Sequence, residues 1–321
     1  MLKTVYAPHL GTTVKMGRSR PPKGLQKLQL ANYSTYTPPA TPPSCDYAPK
    51  AKVALSRTYL NEKIGSCVVA AGYHVLGTMT GNSSAPFVAN DNQIIADYSA
   101  IGRYDPKVPS SDQGADEQTA LNYWVKNGFA DGSKLAGWVA VDATNKAEIK
   151  AALYLFENIY FGMEMPDSWI HPMPTASGFV WRVSGEGNPN NGHCVMGTGY
   201  NDVGIQIISW GLSGTVTWDA VAEYAVAKSG GEMYVLLSPA QLLRGMQKAP
   251  NGVDWKALVA DFQARGGKLA NPGATPDVGL PTTITAPVAS MATTVSKNLG
   301  LYIAGGALSI ALMYYMMKSE K

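Results

Sequence analysis

Three cysteines and four histidines carry the side chains best suited to nucleophilic chemistry in this 321-residue chain. Cys67 draws attention first. The stretch "EKIGSCVVAAGYHVLG", residues 62–77, sets it after Gly65-Ser66, at the head of an apolar run that reads as a helix begun by Ser66 and closed near Gly77. A thiol at a helix N-terminus faces the positive end of the macrodipole, which favours the thiolate. Thiolate chemistry then needs an imidazole within hydrogen-bond reach. His74 lies two turns along the same helix, about 10 Å away, too far to pair directly. His9 sits in a basic N-terminal stretch and His171 in the Pro-rich "HPMP". His193 opens the run "HCVMGTGY" after the turn "GNPNNG", and the layout brings it most readily across a cleft. The competing reading is packing alone, since a free helix cysteine is commonly buried and a strand histidine can be satisfied in a core. Cys194, pointing to the opposite strand face, reads as core.

The elements that must hold these groups are visible in the pattern. "ADEQTALNYWVKNG" has acids in its first turn and an Asn-Gly stop, so it reads as a helix. "NKAEIKAALYLFEN" offers Asn145 as cap with Glu148 three residues on, then apolar positions at 149, 152, 153 and 156. After Pro166 the runs "FVWRVSG", "HCVMGTGY", "GIQIISWG" and "EMYVLLS" are short, β-rich and separated by Gly/Asn turns, as in an antiparallel meander. Helices first and strands later predict an α+β fold with a cleft between the halves.

These residues resemble the papain-like cysteine peptidases. The shared order is "GSC" opening a helix, a histidine on a later strand in "GHCVMGTGY", then the Ser-Trp-Gly of "IISWG". Cys67 and His193 are 126 residues apart, close to the papain-type spacing of roughly 130–150. The resemblance spans roughly residues 50–240 and implies a two-lobed fold, helical lobe then antiparallel β lobe. It implies a cysteine hydrolase, a peptidase acting on polypeptide without a cofactor or metal, with Cys67 as nucleophile and His193 as proton shuttle. Asn61, six residues before the cysteine, stands where the family has its oxyanion-hole glutamine, and the Cys67 backbone N–H would be the second donor. The chain departs from the family at Ile208, where an asparagine orients the histidine. Gln206 on the same strand, or a backbone carbonyl, is the candidate replacement, with Trp210 shielding the site. Because isoleucine cannot accept a hydrogen bond, a catalytically inactive binding or structural protein, such as a virion component, is the alternative. Chains built this way are expected among phage and prophage proteins. The stretch ahead of the core is short beside the family's inhibitory pro-region.

Composition divides the chain further. Residues 1–50 form a basic, Pro-rich arm, and the first 45 carry Lys3, Lys15, Arg18, Arg20, Lys23 and Lys27 with no acid. Such an arm suits an anionic partner, or else a solvated drape over the domain. Residues 51–265 hold the papain-like domain, and 266–298 a Pro/Thr/Ala-rich linker. Residues 299–317, "LGLYIAGGALSIALMYYMM", are uncharged between Lys297 and Lys318. At 1.5 Å per residue that run reaches about 28 Å, close to a hydrocarbon core. The expectation is a C-terminal transmembrane helix, or a hydrophobic plug in a larger assembly, and hence a membrane-associated or virion location. The N-terminus shows no apolar secretory signal. Three cysteines without CxxC or Cys/His spacing exclude a disulfide framework and a zinc module.

Overall fold

The computed structural model describes residues 2–22, 27–34 and 40–267. The chain opens with an antiparallel hairpin, β1 (Thr4–Ala7) and β2 (Thr12–Lys15), in which Thr4 faces Lys15. Val5, Ala7 and Val14, with Met16 beyond them, are buried. The basic arm is therefore part of the domain and not a drape over it. Five of its six basic side chains pair with acids of the same chain: Lys3 with Asp167, Lys15 with Asp112, Arg18 with Glu117 and Glu232, Arg20 with Glu164, and Lys27 with Glu232. The sixth, Lys23, lies outside the described residues.

A short strand, β3 (Cys45–Asp46), and a single turn, α1 (Lys52–Leu55), lead into the central helix α2 (Cys67–Ser83). Every residue of α2 from Cys67 to Gly81 is buried, in keeping with its mostly apolar and small-residue composition. Next comes α3 (Asp91–Gly102), begun by a reciprocal capping box between Asn90 and Gln93. In α4 (Glu117–Lys126) the Asp116 side chain accepts from the Thr119 N–H. After β4 (Gly137–Ala140), α5 (Lys146–Phe156) is capped as its sequence predicts, Asn145 accepting from the Glu148 N–H.

The remaining chain is mostly sheet: β5 (Ile159–Glu164), β6 (Phe179–Trp181), β7 (Gly192–Tyr200), β8 (Gly204–Ser209), β9 (Leu212–Thr217) and, after α6 (Trp218–Tyr224), β10 (Glu232–Leu237). Two helices, α7 (Pro239–Lys248) and α8 (Trp255–Ala264), close the described chain. The strands form one sheet in the order β4-β10-β5-β7-β8-β9-β6, with β3 also on β7. β7, β8 and β9 are the expected antiparallel meander. The sheet is not a meander throughout, because β10 returns between β4 and β5 and β6 pairs parallel to β9.

Successive strand residues point to opposite faces and so feed two cores. Cys194, Met196 and Ile208 pack with Cys67 and Val68 on the α2 side. Val195, Ile205 and Ile207 pack on the other side with α5, α8 and the β1–β2 hairpin. Among the described residues no helix is long and apolar enough to cross a membrane. The expected linker beyond residue 267 and the apolar segment 299–317 lie outside the described residues.

Candidate active site

Cys67 is the first residue of α2, and the loop before it is held from several directions. Tyr59 and Leu60 both take left-handed backbone conformations, φ 51° and 63°, which non-glycine residues adopt only where surrounding structure enforces them. The Ser66 hydroxyl donates to the Tyr59 carbonyl at 3.1 Å. The Gly65 N–H donates to the Asp112 carboxylate at 3.0 Å, and Asp112 also accepts from the Tyr98 hydroxyl at 2.6 Å and Lys15 Nζ at 2.5 Å. Asn61 is 2% exposed, and its side-chain amide donates to the Ile64 carbonyl at 3.4 Å. Its one described side-chain bond is therefore inside its own loop.

His193 is the second residue of β7, opposite Met163 of β5. Its Nε2 lies 2.9 Å from the Ser209 hydroxyl, and its ring stacks on Trp210 with centroids 3.9 Å apart and planes 4° from parallel. A tight turn places that indole: Trp210 and Gly211 have φ 48° and 76°, the double positive φ of a two-residue hairpin turn between Ser209 and Leu212. Holding a tryptophan in this region costs free energy that the stack helps to offset.

Ser209, and not Gln206, is thus the side chain against His193. Gln206 pairs with Gly199 and Thr215, six residues along β7 from the histidine. Ile208 pairs with Met196 and packs in the α2-side core, so an asparagine there would face apolar side chains instead of the imidazole. The strand parity that removes position 208 brings position 209 into place.

Cys67 packs in one buried cluster with Cys194, the residue that follows His193. Gly17 of the N-terminal arm lies against Gly65, two residues before Cys67. No hydrogen bond joins thiol to imidazole, and His193 Nδ1 is buried with no partner. Both groups are 1% exposed. Burial pushes the Cys67 thiol up to about 12. Burial, with His74 nearby, pulls His193 down to about 3. In this buried setting desolvation favours the neutral thiol and the neutral imidazole, and opposes the pull of the helix terminus toward thiolate.

The chain's own arm runs beside these residues. The Arg18 N–H donates to the Gly192 carbonyl at 3.1 Å, the Ala115 N–H to the Gly17 carbonyl at 2.9 Å, and the Ser19 N–H to the Ala115 carbonyl at 2.9 Å. Residues 17–19 thereby lie as an extended segment bonded on one side to the loop entering α4 and on the other to the residue before His193. The fit is close: a Cβ on Gly192 would stand 2.2 Å from the Arg18 carbonyl. Sequence reasoning missed this segment, because nothing local marks "MGRSR" as the partner of Ala115 and Gly192, residues far away in the chain.

No family model matches the chain, and no curated protein does. Solved structures do. Xylellain, a cysteine protease from Xylella fastidiosa, is 16% identical, with 70% of this chain and 97% of that one covered and a TM-score of 0.50. A structure from work on the mite allergens Blo t 1 and Der p 1 is 15% identical, covering 66% of this chain and 74% of its own, at a TM-score of 0.48. The Carica candamarcensis cysteine protease CMS1MS2 is 15% identical over 61% of this chain and 99% of its own, at 0.42. At these identities the xylellain likeness speaks to fold, and in fold this chain is papain-like.

Proposed function

We propose that the protein is a papain-like cysteine hydrolase, a peptidase, held in a closed form by residues 16–20 of its own arm. The observation that carries this reading is the meeting of a helix-head cysteine with the strand that bears His193: Cys67, first in α2, packs in one buried cluster with Cys194. Once the arm leaves, water and substrate reach both groups and the desolvation that keeps them neutral is relieved. His193 then takes the thiol proton and the Cys67 sulfur attacks a peptide carbonyl carbon. The resulting oxyanion is met by the Cys67 backbone N–H and, after turning from Ile64, by the Asn61 amide. Collapse of the intermediate breaks the C–N bond, and His193 returns the proton to the departing amine. Water, deprotonated by His193, then releases the acid from the thioester. Ser209 orients the imidazole through Nε2, leaving Nδ1 for the thiol.

The binding or structural alternative rested on Ile208, and the Ser209 contact weakens it by giving His193 a polar partner of another kind. We further propose that residues 299–317 anchor the domain to a membrane. Deleting residues 290–321 is expected to move the protein to the soluble fraction; a full-length chain already soluble without detergent would oppose the anchor. The hydrolase reading is tested by treating the opened chain with an epoxide or iodoacetamide: covalent capture at Cys67, abolished by Cys67→Ala together with peptide hydrolysis, is the expected result. Hydrolysis that survives Cys67→Ala would remove the reading.

A further inference from the structure

The arm's hold on the cleft centres on one side chain. Arg18 is 6% exposed and enters a pocket floored by β5 and β10. Its Nε donates to Glu117 Oε1 at 2.5 Å, one terminal nitrogen to the Gly230 carbonyl at 2.7 Å, and the other to Glu232 Oε1 at 3.3 Å. Gly162, which faces Glu232 across the strands, makes the room. A Cβ there would stand 2.0 Å from Arg18 Nε and 1.6 Å from Glu117 Oε1.

Three acceptors reached by three nitrogens of one planar group fit a guanidinium. A lysine ammonium is a single point and cannot reach all three. The pocket is also more than a counter-ion for the arm. Glu232 is already supplied by Lys27 at 2.7 Å, by Gln118 at 2.8 Å and by the Tyr234 hydroxyl. Glu117 is fully buried, and its second oxygen has no partner with the arm in place. A buried ion pair stabilises a fold no better than apolar packing, so a socket of this kind points to recognition. The backbone places the socket beside the two candidate residues: Gly17, just before Arg18, lies against Gly65, two residues before Cys67, and the Arg18 N–H donates to the carbonyl of Gly192, the residue before His193.

We infer that the Glu117–Glu232 pocket is the specificity pocket of the site and that the substrate class is a peptide with arginine next to, or one residue beyond, the bond presented to Cys67. The inference rests on the hydrolase reading. In the closed form Arg18 occupies the pocket, and a substrate arginine takes its place when the arm leaves.

Two measurements on the full chain test it. The first uses Gly17→Ala, which favours the open arm, with fluorogenic peptides carrying Arg, Lys, Gln or Leu at each of the first two positions on either side of the scissile bond. Arginine at one position is expected to raise kcat/KM at least tenfold over lysine and more over leucine, and Glu232→Gln to shrink the Arg-to-Leu ratio at least tenfold. The second needs no hydrolysis: Arg18→Ala leaves a guanidinium-sized space, so ethylguanidinium should raise its melting temperature while ethylammonium does not, and Glu117→Gln should remove the response. Hydrolysis without arginine preference overturns the pocket's role, as does an equal response of wild type and Arg18→Ala to ethylguanidinium. No hydrolysis and no labelling of Cys67, with ethylguanidinium still bound, would instead sink the hydrolase reading and leave the pocket as a socket for the arm alone.

Discussion

Gly17→Ala should open the cleft. The added Cβ would lie 2.0 Å from the Gly65 carbonyl oxygen and 2.3 Å from its carbon, so the clash is with backbone and no side chain can turn aside. Gly65 cannot retreat easily, because its N–H is fixed to Asp112, which is itself tied to Tyr98 and Lys15. Forcing an extra methyl into such a contact costs about 1–3 kcal/mol. At about 1.4 kcal/mol per tenfold change, the open arm becomes about 5–150 times more populated. If Cys67 is alkylated only from the open form, its rate rises by the same factor. The assay is iodoacetamide labelling followed by peptide mass spectrometry, with circular dichroism and melting temperature confirming that the domain stays folded. A folded Gly17→Ala protein whose Cys67 reacts no faster than wild type would refute the claim that the arm seals the site.

Ser209→Ala removes the partner of a buried imidazole nitrogen and should lower stability by about 1–3 kcal/mol in denaturant titrations. In the Gly17→Ala background it should also lower kcat more than it raises KM, the mark of an orienting contact. Arg18→Ala leaves the buried Glu117 carboxylate without its cation, while Glu232 keeps Lys27, and should destabilise by roughly 3–5 kcal/mol. Burial already holds Glu117 above the ordinary carboxylate range, and protonation relieves the defect, so the loss should be smaller at pH 5 than at pH 8; equal losses would contradict the ion-pair account. His74 and His193 are pulled from 6.5 to about 4 and about 3 by burial. A depressed pKa gives stability that is present above pH 6.5 and lost as the pH falls through the folded value. His74→Gln should therefore weaken the acid dependence between pH 6.5 and 4 by about 3 kcal/mol; an unchanged acid limb would mean His74 is not held neutral.

Much of the frame is legible in the chain. Caps and apolar spacing mark α2, α4 and α5, and Gly/Asn turns bracket β7, β8 and β10. Helix α3 and the first hairpin went unread, although Asn90 with Gln93 three residues on marks the one and the alternation of "TVYA" and "TTVK" the other. The charge of the first 45 residues drew the reading toward an outside partner, when their acids lay elsewhere in the same chain. Arg18 finds Glu117 99 residues away and Glu232 214 residues away, and no local pattern encodes such pairing. The site divides the same way. Cys67 and His193 are read from a helix head and a strand start, which are local features. The partner of His193 depends on which face of β8 meets it, and one residue of register separates Ile208, in the core, from Ser209, on the imidazole.

The account's central claim is a working Cys67–His193 pair that the arm holds in its neutral form, and the pH dependence of Cys67 alkylation tests it most directly. It should be measured in Gly17→Ala and in Gly17→Ala with His193→Ala, both checked for folding. The account predicts a thiolate that reacts below pH 7 in the first protein, and a thiol with a pKa of about 8.5 or higher in the second. A thiol that titrates at about 8.5 or above in both proteins would contradict it.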